Sequence, residues 1–353
     1  MTDLNIFGAD HIEGIAVDQA RLALSRQGAV RAVLCPDAHP GKYGPVGMAL
    51  DSSRLFPLLM GNDIGCGFGV FVLSKPMRKI KLDKVVRSWS ELDLPYEDAL
   101  EWAEKLGVSE QGAFALGTIG LGNHFCELSH VVQSEEDHLP KGSAVLFVHS
   151  GSRGLGESVF SRLPEGVVNG VEADSEVGKA YLSAHDDCLS FARANRFVVA
   201  QRAAAALGLK AELLCDVPHN FVAFEDGLWR HRKGVSSSAP LVPVAGSRDS
   251  ASWLVAGTQG NSALSSLPHG AGRKIDRSSC QGRFKASRRE KDGSVRLPEG
   301  GRVICGRKDL LIQEDTRAYK DTWKIKSVIE KEGLGRVVAQ LKPQVTFKTG
   351  EKK

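Results

Sequence analysis

The sequence predicts an α+β fold in which residues 1–353 form a single domain. Short β-branched runs alternate with apolar stretches of helical spacing, and no internal repeat is visible. The 353 residues, of which 42% are hydrophobic, suffice for one large or two modest domains with a substantial core. No linker is long or polar enough to divide the chain, so we expect one unit.

The elements follow from local composition. Runs rich in β-branched or aromatic residues predict strands at residues 29–35, 68–73, 144–148 and 303–305, with a terminal strand or tail at 345–348. Apolar residues at helical spacing predict helices at 96–106, at 175–207 with a break allowed in its middle, and over part of 318–341. Residues 286–300 are predicted to form an exposed loop.

Cysteine usage and charge restrict the class of protein. The seven cysteines are odd in number and widely spaced, without a CxxC pair or a secretory leader, which predicts a reduced, cytoplasmic protein. No apolar run approaches the roughly 18–20 residues that cross a bilayer, so no membrane partner is expected. The formal net charge is only +4, but residues 273–308 hold 12 Lys or Arg against four Asp or Glu. Such a basic stripe would attract an RNA backbone, although a solvated loop explains any single residue in it better.

A glycine-rich bend after the apolar run at residues 55–60 carries two candidate metal ligands. Asp63 and Cys66 stand three positions apart there, so both can reach one ion. A thiolate prefers borderline or soft ions and a carboxylate prefers hard ones, which suits manganese, zinc or iron. Taken alone, a turn-forming Asp and a core Cys explain the bend better.

Three histidines favour a metal site over that structural interpretation, because each follows a β-type run and stands beside a small or amide residue. They are His124, His149 and His219. A His at a strand end faces the loops beyond the sheet edge, where sites are commonly built. With Asp63 and Cys66 they make five ligands, enough for two metal ions bridged by the Cys66 thiolate.

A fourth histidine, His269, precedes a Gly-Ala-Gly run and two cations. Glycines let a phosphate approach the backbone, and cations attract it. His269 is therefore predicted to face a phosphate rather than hold a metal. Imidazole is a competent nucleophile at phosphorus.

These features belong to an ordered set of motifs that resembles the RtcB RNA ligases from about residue 30 to the C-terminus. The motifs are Pro36-Asp37-Ala38-His39 with Gly41-Lys42, the Asp63 to Cys66 bend, Gly122-Asn123-His124-Phe125-Cys126-Glu127, His149-Ser150-Gly151-Ser152-Arg153-Gly154, His219-Asn220, His231-Arg232-Lys233-Gly234, His269-Gly270-Ala271-Gly272-Arg273 and Ala318-Tyr319-Lys320-Asp321. The short chain also resembles the subgroup found beside a peptide-release-factor homologue in bacteria, which implies a functional association with such a protein. The oligomeric state is left open.

The resemblance implies a fold and a metal site. The family fold is a single compact α+β domain with mixed and antiparallel sheets around a central dinuclear metal site. One Mn²⁺ would be held by Cys66, His149 and His219, and a second by Asp63, Cys66 and His124. Ligand preference alone leaves cobalt and iron open.

The resemblance also implies a reaction. His269 would attack the α-phosphate of GTP to form a histidine-linked GMP, which then passes to an RNA 3′-phosphate. The 5′-hydroxyl of a second RNA would attack this activated end and release GMP. A 2′,3′-cyclic phosphate is first opened to the 3′-phosphate. RNA repair is the expected role.

A nucleotide site is implied near these groups. By resemblance it includes Asn123, Phe125, Glu127, Asn220, Ser247, Ser252, Gly270, Ala271, Gly272, Tyr319 and Lys348. Asn123 and Asn220 are suited to donating to phosphate oxygens, although a capped turn explains an Asn equally well. Glu127 can accept from the guanine N1–H and amine while Lys348 donates to O6. The C-terminal tail is therefore expected to contribute to the site.

Three departures from the family pattern lie beside this site. Arg248-Asp249 stand where Met-Gly is expected, Leu267-Pro268 where Cys-Ser is expected, and Val235-Ser236 where Ala-Thr is expected. They leave the ligands and His269 in place. We therefore expect them to affect substrate preference and rate rather than reaction class.

Two other classes of function are weighed against the ligase. A dinuclear metal-dependent phosphoesterase or nuclease would use the same ligands with water as nucleophile, and would need neither His269 nor a guanine pocket. An inactive RNA-binding homologue would keep the basic stripe and lose ligands. All five ligand positions and His269 are present, which makes the second alternative the weakest.

Overall fold

Three β-sheets and one long helix organise the chain in the computed structural model, which describes residues 3–93 and 98–349. The strands, in chain order, are β1 (Asp3–Ile6), β2 (Ala29–His39), β3 (Val46–Ser52), β4 (Gly67–Leu73), β5 (Phe125–Ser134), β6 (Ala144–Ser150), β7 (Ala211–Pro218), β8 (Asn220–Glu225), β9 (Leu228–Lys233), β10 (Val235–Ser237), β11 (Val242–Val244), β12 (Ser252–Gly257), β13 (Ser266–Pro268), β14 (Val295–Arg296), β15 (Arg302–Cys305) and β16 (Gly335–Thr349).

The helices are α1 (Gly14–Leu24), α2 (Pro57–Met60), α3 (Leu82–Trp89), α4 (Ala99–Lys105), α5 (Glu110–Ala113), α6 (Gly154–Ser161), α7 (Glu176–Ala205), α8 (Arg277–Cys280), α9 (Lys308–Gln313) and α10 (Thr322–Lys331). Short 3-10 turns lie at Ala9–His11, Met77–Lys79, Val167–Asn169 and Thr316–Ala318. No helix in the described ranges is both long and apolar enough to cross a membrane.

The central sheet has the strand order β11-β12-β16-β5-β6-β4-β7, with β15 pairing in parallel with β16 and β14 pairing with β15. A second sheet has the order β1-β2-β3-β9-β8, in which β1 and β2 are parallel. The pair β10-β13 forms the third sheet, and β10 contacts both β3 and β7. The two larger sheets are mostly antiparallel and each contains one parallel strand pair. They confirm the predicted α+β fold with mixed and antiparallel sheets.

Helix α7 covers one face of the central sheet. Its start is capped by Ser175, whose hydroxyl accepts the Gly178 N–H at 3.1 Å. Small side chains such as Ala203 let the helix lie close to β4, β6 and β7, where it packs with Phe71 and Leu146 in the largest core cluster. The helix runs for 30 residues without interruption, so the break that the sequence allowed is absent.

The other predicted elements agree in type with the structure and differ in extent. The four predicted strands correspond to β2, β4, β6 and β15, and the tail belongs to the 15-residue strand β16. The helix predicted at 96–106 appears as α4, while residues 96 and 97 lie outside the described ranges. Residues 286–300 are not an exposed loop throughout, because β14 pairs with β15 there and Leu297 is buried.

Candidate active site

Antiparallel pairing brings the predicted metal ligands to one end of the central sheet. β4 begins directly after Cys66, and its antiparallel neighbours β6 and β7 end beside that point. His149 lies one residue before the end of β6, and His219 follows the last residue of β7. β5 runs antiparallel to β6, so His124, which directly precedes β5, reaches the same end. The predicted order, in which each of the three histidines follows a strand, therefore holds for His219 alone, because His149 lies within β6 and His124 precedes β5.

The five predicted ligands form two groups that share one sulfur atom. The Cys66 Sγ lies 3.1 Å from the His149 Nε2 and 3.3 Å from the His124 Nε2. The His149 and His219 Nε2 atoms are 3.3 Å apart, and the His124 Nε2 is 3.3 Å from an Asp63 carboxylate oxygen. Within each triad, Cys66-His149-His219 and Asp63-Cys66-His124, the candidate donor atoms all lie within 4.8 Å of one another.

The protonation of three of these groups, His149, His219 and Asp63, suits metal binding. The His149 Nδ1 lies 3.1 Å from the Asn123 carbonyl oxygen, which can only accept, so Nδ1 carries the proton and Nε2 presents its lone pair. Burial, assisted by the neighbouring imidazoles, lowers the pKa of both His149 and His219 well below the ordinary value. Burial opposes ionisation of Asp63, yet His124 holds the pKa of that carboxyl below its ordinary value. Neutral imidazoles, a carboxylate and a thiol therefore face one point.

Asn220 fixes the bend that carries two of these ligands. Its side-chain amide donates to the Met60 and Asp63 carbonyl oxygens at 3.1 and 2.7 Å, and its backbone carbonyl accepts the Gly65 N–H at 2.8 Å. The amide nitrogen that was expected to donate to a phosphate is therefore used for holding the bend. The remaining amide oxygen of Asn220 is a buried acceptor without a hydrogen-bond partner.

Arg196 of α7 supports the same bend from the helix side. Its Nη1 donates to the Gly65 and Ser150 carbonyl oxygens at 2.8 and 2.9 Å. Its Nε and Nη2 form a two-pronged ion pair with the Asp216 carboxylate, both at 2.7 Å. One buried guanidinium thus connects the bend, the end of β6 and strand β7.

His269 lies next to the metal-binding groups, at the end of β13. Its ring centroid is 4.7 Å from that of His219. Its Nδ1 donates to the Asp37 carboxylate at 2.7 Å, and Asp37 has no solvent exposure. The following turn requires glycine at Gly272, whose φ is 68° and whose Cβ, if present, would overlap the Asp37 carbonyl oxygen.

A pocket opens beside His269 and contains every residue expected to bind the nucleotide. Its walls include Asn123, Phe125, Glu127, Asn220, Ser247, Ser252, Gly270, Ala271, Gly272, Tyr319 and Lys348. Asp63, Cys66, His149 and His219 also line it, whereas His124 does not. The structure thus joins the candidate metal centre, His269 and the predicted nucleotide residues in one cavity.

Glu127 and Lys348 enter this pocket from adjacent strands. Thr346 of β16 pairs with Glu127 of β5, and its hydroxyl donates to the Glu127 carboxylate at 2.7 Å. A second hydroxyl, that of Ser129, donates to the same carboxylate at 2.8 Å. Burial nevertheless raises the pKa of Glu127 to about 7, against the effects of Thr346, Ser129 and Lys348.

Sequence reasoning missed Glu314, which lies at the centre of a buried charge cluster in the pocket wall. Its carboxylate accepts from the Tyr319 hydroxyl, lies 3.3 Å from the Arg273 Nη1 and 3.8 Å from the Lys348 Nζ. Burial opposes ionisation, but Lys348 and Arg277 lead the groups that hold the pKa of Glu314 at about 2. A single acidic residue after a short helix gives no sequence signal of this role.

The basic stripe is partly neutralised within the fold. Ion pairs of the described residues join Arg302 to Asp83 and Asp292, and Arg307 to Asp309. Six cations of the stripe are exposed and have no carboxylate partner within the described ranges: Lys274, Arg283, Lys285, Arg288, Lys291 and Lys308. Phe284, which was considered for base stacking, lies under the Arg317 guanidinium at 4.5 Å. The stripe is also not one loop, because it contains α8, β14 and β15.

Two of the three departures from the family pattern contact each other. Val235 of β10 pairs with Pro268 of β13, and Ser236 pairs with Leu267. The residues at these positions therefore pack as one unit beside His269. The two residues of the third departure lie in different places, because Arg248 lines the active-site pocket whereas Asp249 lines a separate cavity.

Known proteins are similar to this sequence over most of its length. Residues 94–349 match the family model described as tRNA-splicing ligase RtcB. RNA-splicing ligase RtcB2 of Escherichia coli is 37% identical over 363 aligned positions, which cover 97% of this chain and 94% of that protein. RNA-splicing ligase RtcB of Mycobacterium tuberculosis is 30% identical over 66% of this chain and 65% of its own length. tRNA-splicing ligase RtcB of Thermococcus kodakarensis is 24% identical over 88% of this chain and 86% of its own length.

Family membership follows from the extent of these matches. The chain belongs to the RtcB family, which confirms the family prediction made from the motifs.

Proposed function

We propose that this protein is an RNA ligase that uses GTP and Mn²⁺ to join an RNA 3′-phosphate or 2′,3′-cyclic phosphate end to a 5′-hydroxyl end. Relatives named RNA-splicing and tRNA-splicing ligases support the reaction class. The observation that carries the mechanism is the position of His269, whose ring lies against His219 of the candidate metal centre and lines the pocket with Glu127 and Lys348.

His269 acts as the nucleophile in this proposal. The Asp37 carboxylate accepts a hydrogen bond from the Nδ1–H group, so Nε2 is the ring nitrogen with a free lone pair. That nitrogen attacks the α-phosphate of GTP, the new P–N bond forms, and pyrophosphate leaves. The negative charge of Asp37 stabilises the cationic imidazole that develops during the attack.

The two triads of clustered side chains support the proposed metal ligands. Cys66, His149 and His219 would hold one Mn²⁺, and Asp63, Cys66 and His124 would hold the other, since each triad brings its candidate donor atoms close together. When bound, such a pair of cations neutralises charge on the attacked phosphate and on the departing oxygen. The protein supplies neutral imidazoles from the ends of rigid strands, which fixes the donor atoms before the metal arrives.

The later steps transfer GMP between phosphates. An RNA 3′-phosphate oxygen attacks the histidine-linked GMP, which restores His269 and leaves an RNA end capped by a pyrophosphate linkage to guanosine. The 5′-hydroxyl of the second RNA then attacks the RNA-side phosphorus, a 3′,5′-phosphodiester forms, and GMP leaves. The exposed cations between residues 274 and 308 would attract the RNA backbone.

Guanine selection is assigned to Glu127 and Lys348. The ionised Glu127 accepts from the guanine N1–H and amine, and Lys348 donates to O6. Adenine presents the opposite donor and acceptor at those positions, so this pair would reject ATP. Association with a peptide-release-factor homologue remains a prediction from the sequence resemblance.

Labelling with GTP tests the proposed function directly. Purified protein is incubated with α-labelled GTP and Mn²⁺, without RNA, and label retained after denaturation is measured. We expect an adduct that is labile in acid and stable in alkali, as a phosphoramidate is, and we expect none with His269→Ala. His130→Ala is the matched control, because His130 lies on β5 away from the pocket lining.

Each outcome separates the candidate functions. Label that survives in the His269→Ala variant would exclude this nucleophile. Absence of any adduct in folded, metal-loaded wild-type protein would favour the metal-dependent phosphoesterase, and RNA cleavage would then be assayed.

A further inference from the structure

His39 is an imidazole in the wall of the active-site pocket that the steps described above do not use. It ends strand β2, where it pairs with Val46 of β3, and both residues line the cavity. A Cβ at Gly234 would lie 2.3 Å from the Val46 Cγ1 and 3.3 Å from the His269 Cε1. The cross-strand partner of His39 and the proposed nucleophile therefore lie on either side of one glycine.

Asp37 holds both imidazoles. Its carboxylate accepts a hydrogen bond from the His269 Nδ1 at 2.7 Å, and its backbone carbonyl oxygen lies 3.0 Å from the His39 Nδ1. A carbonyl oxygen can only accept, so the neutral His39 ring carries its proton on Nδ1 and presents a lone pair on Nε2. The same residue thus fixes the tautomer of both rings and leaves both Nε2 atoms available.

The His39 Nε2 atom is accessible to a ligand in the pocket. It has no hydrogen-bond partner among the described residues, and it is not sealed from solvent. Burial, assisted by the neighbouring His269 and Lys320, lowers the pKa of His39 to about 4. The ring is therefore neutral at physiological pH, and its Nε2 can accept a proton.

Two of the proposed steps require a proton acceptor. His269 attacks GTP with a lone pair, and the RNA 3′-phosphate attacks the histidine-linked GMP with an oxygen that is already ionised. In contrast, the water that opens a 2′,3′-cyclic phosphate and the 5′-hydroxyl that joins the ends must each lose a proton. Both attack the phosphorus at the RNA 3′ end, so one base beside that atom would serve both steps.

Other groups of the cavity wall that could accept a proton have partners of their own. Glu127 accepts hydrogen bonds from two hydroxyl groups, and Glu314 lies in its cluster of cations. The Lys233 amine donates to a backbone carbonyl oxygen at 3.1 Å. Four further groups form the candidate metal centre: Asp63, Cys66, His149 and His219. The imidazoles of His39 and His269 remain.

We propose that His39 is a further catalytic residue, the general base whose Nε2 takes the proton from the nucleophile that attacks the RNA 3′-terminal phosphorus. This inference rests on the proposed ligase reaction. The negative charge of the bound phosphates favours the protonated ring during the attack.

The proton has a defined course in both steps. In the joining step, the 5′-oxygen forms a bond to the phosphorus, its proton passes to the His39 Nε2, and the bond from that phosphorus to GMP breaks. GMP leaves, and the ring releases the proton to solvent. In the opening step, water gives its proton to the same nitrogen, the bond between phosphorus and the ribose 2′-oxygen breaks, and the ring returns the proton to that oxygen.

Separate assays of the four steps test this role. Synthetic RNAs supply a 3′-phosphate, a 2′,3′-cyclic phosphate and a 3′ end already activated with GMP. In His39→Ala we expect joining of the activated end to a 5′-hydroxyl, and opening of the cyclic phosphate, each to slow about 100-fold or more, while adduct formation and GMP transfer to the 3′-phosphate stay within about threefold of wild type.

Three further variants control the experiment. His39→Gln can accept a hydrogen bond but not a proton, so it should show the same losses, and it provides the test if His39→Ala does not fold. His138→Ala changes an exposed imidazole and should match wild type at every step. His269→Ala should join the activated RNA normally, because that substrate needs no GMP transfer.

The outcomes separate this role from the alternatives. Joining or opening at the wild-type rate in a folded His39 variant would overturn the proposal. Equal slowing of all four steps would also overturn it, because a purely structural role has that effect. Loss of joining in His269→Ala alone would assign the base to His269 instead.

The wild-type protein shows whether the proposed function itself fails. If it forms the adduct and joins activated RNA while the His39 variants do the same, only the role of His39 is wrong. If wild type neither forms the adduct nor joins activated RNA, the proposed function fails and the inference fails with it.

Discussion

The Nδ1 atom of His269 lies 2.7 Å from one carboxylate oxygen of Asp37, and that oxygen also faces the backbone N–H groups of His269 and Gly270 at 3.2 and 3.4 Å. One buried oxygen therefore holds the ring and the backbone beneath it. This arrangement fixes the tautomer and the direction of the ring, which a nucleophilic imidazole requires.

Asp37→Asn should slow formation of the covalent GMP adduct by about 100-fold or more, by analogy with the loss seen when a buried Asp that orients a catalytic His becomes Asn. The amide cannot supply the negative charge that stabilises the cationic ring. Single-turnover labelling with α-labelled GTP measures the rate. Asp174→Asn, which changes an exposed carboxylate, should react at the wild-type rate. A normal rate in Asp37→Asn would show that the carboxylate does not assist the attack.

Gly151 provides a steric test of the second candidate metal-binding triad, Asp63-Cys66-His124. A Cβ at this position would overlap a carboxylate oxygen of Asp63 and lie 3.3 Å from the Cys66 Cα. Gly151→Ala should therefore displace Asp63 and reduce bound Mn²⁺ from two ions to one, with loss of most adduct formation. Metal content after equilibrium dialysis gives the stoichiometry.

Gly154→Ala is the matched control for that experiment, because a Cβ there meets nothing within 4 Å. It should bind two ions and form the adduct normally. Retention of two ions by Gly151→Ala would mean that Asp63 is not needed for the second site.

Arg196 and Asp216 form a buried ion pair whose side chains are 1% and 6% exposed. Arg196→Met should lower the free energy of unfolding by about 3–5 kcal/mol, because it leaves Asp216 buried and unpaired and removes the donor to Gly65. Urea denaturation measures this change. Arg193→Met, on the exposed side of the same helix, should stay within about 0.5 kcal/mol of wild type. Equal stability of the two variants would refute a supporting role for Arg196.

The clustering of the candidate metal ligands could be predicted from sequence because their signals are local. Asp63 and Cys66 occupy one glycine-rich bend, and each His stands next to a strand that begins or ends at the same end of the sheet. Rare residue types at such positions are visible without knowledge of the fold. The order of the motifs along the chain then predicted membership of the RtcB family.

The supporting residues could not be predicted because their partners are distant in sequence. Arg196 acts on the Gly65 carbonyl, 131 positions away, and reads in the sequence as one more residue of an Ala-rich helix. Glu314 acquires its role only when β16 places Lys348 beside it. Counting charges in the sequence likewise overstated the number of unpaired cations in the basic stripe, since Arg302 is paired with Asp83, 219 positions away.

We expect Glu127 to make the stability of the free protein and its affinity for GMP depend on pH in opposite directions. Burial raises the pKa of Glu127 to about 7 from an unfolded value of 4.5, so the native state holds its proton more tightly than the unfolded chain does. The free energy of unfolding should therefore fall as pH rises from 4.5 to 7 and change no further above 7 through this group. The shift corresponds to a loss on the order of 3 kcal/mol.

Glu127→Gln removes this titration and provides the test. Urea denaturation at pH 5 and pH 8 should show that the variant gains stability relative to wild type as pH rises, whereas Glu212→Gln, an exposed change on β7, should follow wild type at both values. GMP binding should show the opposite trend, because only the ionised carboxylate accepts from both guanine donors. Wild-type affinity should increase between pH 6 and pH 8, and that of Glu127→Gln should be weak and unchanged. If wild type and Glu127→Gln show the same pH dependence in both measurements, Glu127 neither titrates in this range nor reads the base.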